Sequence, residues 1–222
     1  MRMKQVVIFI APPGAGKGTQ SDVLSERLGF YHLETSRIIE EKFRTTDSND
    51  PVIKQERENF LSGKLMTPEL VTGWVLEKIR ELAAKDVSIV FSGSFRTAYE
   101  AKTETPVVEE LYGNGKIKIF HITLSEEESV DRNSHRRLCK LHRHPIPNTP
   151  EFRDLTVCPH DGSPLVKREL DTPEVARKRY YEYLERTEPV LQYFRDRGYA
   201  LIEIKGEQPI KNVTDDILQN FK

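Results

Sequence analysis

Nine residues near the N-terminus, Ala11-Pro12-Pro13-Gly14-Ala15-Gly16-Lys17-Gly18-Thr19, carry the densest chemistry in the chain. The glycines allow successive backbone N–H groups to turn inward, forming a nest that accepts phosphate oxygens. A helix starting at the end of such a loop adds the positive end of its dipole. Lys17 supplies a mobile point charge for β- and γ-phosphates, and the Thr19 hydroxyl lies where a phosphate-bound metal is held. The run therefore reads as a nucleotide phosphate loop, with Gly14, Ala15, Gly16, Lys17, Gly18 and Thr19 as its contacts. The usual loop begins with Gly where this chain has Ala11. Either φ is negative at that position or the loop is strained there.

A second cluster lies far along the chain. Cys139-x-x-His142 and Cys158-x-x-Asp161, fifteen residues apart, form two short chelating turns. Two thiolates, an imidazole and a carboxylate suit a closed tetrahedral Zn²⁺ site. His144 and His160 are close enough in sequence to displace one of these ligands. Two reduced, buried cysteines are the plainer alternative.

The elements around these residues follow from periodicity. Val6–Ala11 is a continuous apolar run, as expected of a strand covered on both faces. Thr19–Leu28 has helical spacing and ends at Gly29, which completes a strand, loop and helix unit. Residues 30–34 read as a second strand and Thr35–Phe43 and Val52–Leu61 as helices. Thr67-Pro68 reads as the capped start of another helix. Ser88–Phe91 and Ile117–Leu124 are further strands, each followed by a helix. Pro173–Arg197 reads as one long helix broken near Pro189, and Tyr199–Ile204 and Pro209–Phe221 as the last strand and helix. Ahead of that long helix, residues 138–170 are rich in proline and lack a helical period. Strands alternating with helices predict an α/β fold with a parallel sheet.

Composition narrows the function classes. The 222 residues carry 34 Lys and Arg against 35 Asp and Glu, a net charge of −1 that gives no basic excess for nucleic acid. The longest apolar run, at 6–11, is far short of the roughly twenty residues a spanning helix needs. The short apolar N-terminus meets Pro12-Pro13 where a signal cleavage site belongs, so the expected location is the cytoplasm.

Pro13-Gly14-Ala15-Gly16-Lys17-Gly18-Thr19-Gln20 resembles the phosphate loop of the adenylate kinase family, and the resemblance runs along nearly the whole chain. Gly63-Lys64-Leu65-Met66-Thr67-Pro68-Glu69-Leu70-Val71 is similar to the segment closing that family's monophosphate region. Gly93 and Arg96-Thr97 match part of its Asp-Gly-Phe-Pro-Arg motif. Asp131-Arg132 and Arg136-Arg137 resemble the helix into its lid, and Arg168 with Arg177-Lys178-Arg179 the lid exit. The resemblance implies a P-loop three-layer core at 1–33, 68–137 and 171–222, a helical monophosphate insertion at 34–67 and a zinc lid at 138–170. It implies a monomer that moves a phosphoryl group from Mg-ATP to a nucleoside monophosphate, AMP first. Lys17, Arg96, Arg132, Arg136, Arg168 and Arg179 would be its catalytic residues. Thr35, Lys64, Leu65, Met66, Gly93, Arg96, Glu100 and Gln208 would join the loop in binding nucleotide. Cys139, His142, Cys158 and Asp161 fall where some members carry lid zinc.

Three positions depart from that pattern. Glu40 stands where the family has an arginine on the monophosphate, with Arg37 nearby as a substitute. Ser92 replaces the carboxylate of Asp-Gly-Phe-Pro-Arg, which helps hold the Mg²⁺ shell. Glu100 replaces the glutamine that reads adenine. A carboxylate accepts side by side from the two donors of guanine, so these changes leave two rivals to an AMP kinase: a kinase shifted toward GMP, and a non-catalytic nucleotide-binding protein.

Overall fold

The computed structural model describes residues 4–47, 50–61, 66–141, 144–148, 152–167 and 171–221. The chain divides into two compact units. One gathers Met1–Ile10, Ser21–His121 and Arg186–Ile202; the other gathers Ala11–Gln20, Ile122–Glu185 and Glu203–Lys222.

The central sheet has five strands in the order β2-β3-β1-β4-β8. These are β1 (Val6–Ile10), β2 (Tyr31–Leu33), β3 (Ile89–Phe91), β4 (Ile117–Thr123) and β8 (Leu201–Lys205). β1 is buried along its length, as its unbroken apolar run requires. It pairs in parallel with β3, Ile8 opposite Phe91, and with β4, Val6 opposite Ile117. The chain leaves β1 through α1 (Lys17–Leu28) toward β2, and leaves β3 through α5 (Ala98–Tyr112) toward β4 on the other side. The strand order thus reverses between β1 and β3. In open α/β sheets, ligands bind in the crevice at the carboxyl ends of such a pair.

The first unit also holds α2 (Thr35–Thr45), α3 (Pro51–Leu61) and α4 (Pro68–Ala84). Pro68 opens α4 as expected, but Thr67 does not cap it with its side chain. The Thr67 hydroxyl instead donates to the buried Glu56 carboxylate, which also accepts from the Thr67 N–H at 3.1 Å. The core is aromatic along one line, where Phe91 meets Phe95 at 5.2 Å and Phe95 meets Phe194 at 5.9 Å between ring centroids.

Glu104 on α5 conflicts with that core. It is 1% exposed, and one of its carboxyl oxygens is without a hydrogen-bond partner among the described residues. Burial, followed by the nearby Glu100 charge, pushes its carboxyl well above the ordinary carboxylate range. The folded state therefore holds a proton that the unfolded chain releases. Stability falls as pH rises past the unfolded carboxylate's value, until the raised native value is passed. Glu104→Gln removes this slope. A buried unsatisfied group costs about 1–3 kcal/mol, and each kcal/mol moves Tm by roughly 2–4 °C at this size. Melting wild type and variant at pH 5 and pH 8 checks this: the variant should gain more at pH 8. A gain independent of pH would contradict it.

The second unit carries α6 (Glu126–Ser134) and α7 (Pro173–Glu182), a small antiparallel sheet and the C-terminal α9 (Ile210–Leu218). That sheet has the order β6-β5-β7, with β5 Arg137–Cys139, β6 Pro145–Ile146 and β7 Leu165–Val166, and the sequence gives no periodic sign of it. The long helix expected over 173–197 is three pieces: α7, a π-helical turn at Tyr183–Thr187, and α8 (Pro189–Asp196). Pro189 offers no N–H to the carbonyl four residues back, and the backbone widens ahead of it. Among the described residues, no helix is long and apolar enough to cross a membrane.

Candidate active site

In the second unit, Ala11–Thr19 forms a tight loop entering α1. Gly14 and Gly16 have φ of +79° and +88°. Gly14 is required twice over, because a Cβ there would also lie 2.7 Å from Asn133 Nδ2 on α6. Ser129 of the same helix donates to the Pro13 carbonyl at 2.7 Å and pins the loop from outside. Among the described residues, only Asp86 and Phe95 are non-glycines with positive φ, so Ala11 adopts an ordinary backbone. The Lys17 ammonium donates to the Ala11 and Pro12 carbonyls at 2.7 and 3.0 Å, which keeps the charge over the loop. Gln20 accepts from Thr214 at 2.9 Å, tying the first turn of α1 to α9.

The arginines of this unit form two groups. Arg136 is bidentate on Asp171, with contacts of 2.9 to 3.2 Å, and Arg179 reaches the same carboxylate at 3.7 Å. The Asp171 side chain is 2% exposed, so one buried carboxylate orients two guanidiniums and leaves one positive charge in excess. Arg132 is separate, bonded to Glu128 at 2.6 Å and the Gly206 carbonyl at 3.0 Å. The Gln208 amide lies on Asp216 at 2.7 Å. Arg168 lies outside the described residues.

The knuckles converge. One ligand atom from each of Cys139, His144, Cys158 and Asp161 lies within 4.8 Å of all the others. Hairpin register explains why His144 takes part. Leu138 pairs with Pro145, and Cys139 N–H donates to the His144 carbonyl at 3.0 Å, which sets these two side chains on one face. His142 lies outside the described residues. Cys158 and Ser163 close the second turn at 2.8 Å. Cys139 Sγ contacts the Asp161 carboxylate at 2.9 Å, and that thiol contact holds the Asp161 carboxyl below its ordinary range. Buried Ile146 packs with the two cysteines against Phe152 and Leu165, a cluster too small to stabilise the segment alone.

In the first unit, Thr35 at the start of α2 meets the Ser94 hydroxyl at 3.1 Å. Gly93 is needed for that approach, since a Cβ would lie 3.0 Å from both Thr35 N and Oγ1. The family's proline falls at Phe95, whose φ of +58° is closed to proline, so this loop takes a different path. Arg96 follows, exposed, its carbonyl held by Thr187 at 2.8 Å. Glu100 is engaged at the start of α5, where Thr97 is the N-cap. Its N–H donates to Thr97 Oγ1 at 3.2 Å and its carboxylate accepts from Arg96 N–H at 2.7 Å. Burial, the largest influence on Glu100, pushes its carboxyl upward. Arg37 pairs with Glu34 at 3.0 Å, which ties up the suggested substitute for the missing monophosphate arginine. Met66 is buried, while Lys64 and Leu65 lie outside the described residues. Sequence reasoning missed Asp171; an aspartate just before a Thr-Pro helix start resembles a cap, and only its burial marks it.

A phosphate loop at the carboxyl end of β1 in a parallel α/β sheet defines a P-loop nucleotide-binding protein. The family model for "Adenylate kinase" matches residues 9–199. An adenylate kinase of Petrotoga mobilis is 31% identical over 97% of this chain and 98% of its own length. Those of Archaeoglobus fulgidus and Anaeromyxobacter dehalogenans are 31% and 35% identical, covering 95% and 90% of this chain and 95% and 92% of their own. The chain belongs to the adenylate kinase family, and is a phosphotransferase with nucleoside monophosphate kinase activity.

Proposed function

We propose that the protein is a monomeric cytoplasmic adenylate kinase that moves the γ-phosphoryl group of Mg-ATP to AMP, giving two ADP. The observation that carries this reading is the Arg136–Asp171–Arg179 group, two cations on one buried anion in the unit that holds the phosphate loop. Phosphoryl transfer asks the protein chiefly for positioning and for positive charge around the transferred group. Lys17 would hold the β- and γ-phosphates, and Arg132, Arg136, Arg168 and Arg179 the charge that spreads over the moving phosphoryl. Gly14, Ala15, Gly16, Gly18 and Thr19 would cradle the donor, with Gln208 beside it. Arg96, Thr35 and Gly93, with Lys64, Leu65 and Met66, would receive the monophosphate. The division into a core, an insertion at 34–67 and a lid at 138–170 belongs to this proposal.

Two thiols, an imidazole and a carboxylate drawn together form a donor set that fits Zn²⁺. Cys139, His144, Cys158 and Asp161 would hold it, and its contribution would be structural.

The acceptor is tested by kcat/KM with AMP, GMP, CMP and UMP against ATP. AMP should lead. Because the Arg96 N–H already engages the Glu100 carboxylate, Glu100→Gln should change the AMP to GMP ratio by less than about threefold, well short of the 10⁴-fold or more lost when a base-reading hydrogen bond is removed. A GMP preference in wild type that Glu100→Gln reverses would establish the guanine reading instead.

A further inference from the structure

Within the first unit, the backbone of Arg96 is gripped on both sides by side chains from different elements. Its N–H donates to the Glu100 carboxylate of α5 at 2.7 Å, and its carbonyl accepts from the Thr187 hydroxyl at 2.8 Å. The threonine is the more telling of the two. A helical threonine commonly gives its hydroxyl to a carbonyl of its own helix. Thr45, Thr103 and Thr214 do so here, each donating to the carbonyl four residues back at 2.8 to 3.0 Å. Thr187 ends the π-helical turn and sends its hydroxyl instead to a residue 91 positions away in sequence.

The segment they grip is one that needs holding. Phe95, just before Arg96, has φ of +58° and is fully buried, its ring set between Phe91 and Phe194. A bulky side chain in the left-handed region is an outlier that persists where its surroundings over-determine it. The aromatic box locks the loop on one side of the Phe95–Arg96 bond, and Glu100 and Thr187 lock it on the other. What is left exposed is the Arg96 side chain, which, unlike Arg37, makes no ion pair among the described residues. We propose that Thr187 and Glu100 are positioning residues that fix the Arg96 main chain and so set the affinity of the acceptor site for the phosphate of the monophosphate. In this role neither touches the substrate. An arginine whose backbone is already ordered loses less freedom when it meets a phosphate, so binding is tighter than from a loose loop.

The proposal rests on the reading of Arg96 as a monophosphate contact, so Arg96→Ala is measured alongside. KM for AMP and for ATP, kcat and Tm are compared across the single variants and their combinations with Arg96→Ala. Thr187→Val keeps the β-branched shape and deletes the donor. It should raise KM for AMP roughly 3–10-fold, the worth of one hydrogen bond, and leave KM for ATP where it was. Thr187→Ser keeps the hydroxyl and should restore the wild-type value. In the Arg96→Ala background Thr187→Val should add nothing, because the group it positions is gone. Glu100→Ala withdraws the other holder without altering the turn that carries Thr187, and should give the same rise and the same silence beside Arg96→Ala. A wild-type KM for AMP in Thr187→Val or Glu100→Ala, an equal rise for both nucleotides, or a rise that persists without Arg96 would each overturn the proposal. If Arg96→Ala itself raises KM for AMP, such a failure sinks the positioning role alone. If Arg96→Ala leaves KM for AMP unchanged, Arg96 does not hold the monophosphate and the proposal falls with that reading.

Discussion

Lys17→Met should lower kcat for ATP and AMP by roughly 10²–10³-fold, the loss typical when one electrostatic stabiliser of a transition state is removed. The expected change in stability is small. Lys17 donates to two loop carbonyls, Ala11 and Pro12, in a half-exposed position. Losing those bonds costs about 1 kcal/mol, or roughly 2–4 °C in Tm. A variant that melts within that interval and has lost turnover places the lysine on the phosphates. A variant that turns over like wild type would show that the loop binds phosphate without Lys17 taking part in transfer.

The second large effect concerns zinc. Protein purified without chelators should contain about one zinc per chain, and stripping it should lower Tm on the order of 10 °C. That figure follows from about 4 kcal/mol of linkage at a thousandfold excess over Kd and roughly 2–4 °C per kcal/mol. Cys139→Ser and Cys158→Ser should lose the metal equally, because each opens the same ligand set. His144→Ala should lose it too, as the β5–β6 register requires. Metal-free protein by elemental analysis, with cysteine variants as stable as wild type, would contradict the site.

The features legible in the sequence were those whose physics is local. The phosphate loop is a short run whose glycine, lysine and hydroxyl positions carry meaning without knowledge of the fold, and β1 is an apolar run too short to be anything but a buried strand. Gly93 was marked by its motif, and its reason is the approach of Thr35. What escaped was set by pairing at a distance. Spacing offered His144 only as a rival ligand, and it is the hairpin register that brings it to Cys139. Asp171 gains its role only when Arg136, just past α6, and Arg179 on α7 are brought to it. Thr67 has the residue type of a cap, yet Glu56 takes its hydroxyl. Residue type and position suggest a base contact at Glu100, and nothing in the local sequence shows that its carboxylate accepts from the Arg96 N–H.

The most direct measurement is ³¹P NMR of equimolar ATP and AMP with Mg²⁺ and a catalytic amount of the protein. ATP and AMP signals should fall together while ADP rises by twice the loss of either, until the three nucleotides reach equilibrium. Inorganic phosphate accumulating with AMP unchanged, or no change in any signal, would contradict a nucleoside monophosphate kinase.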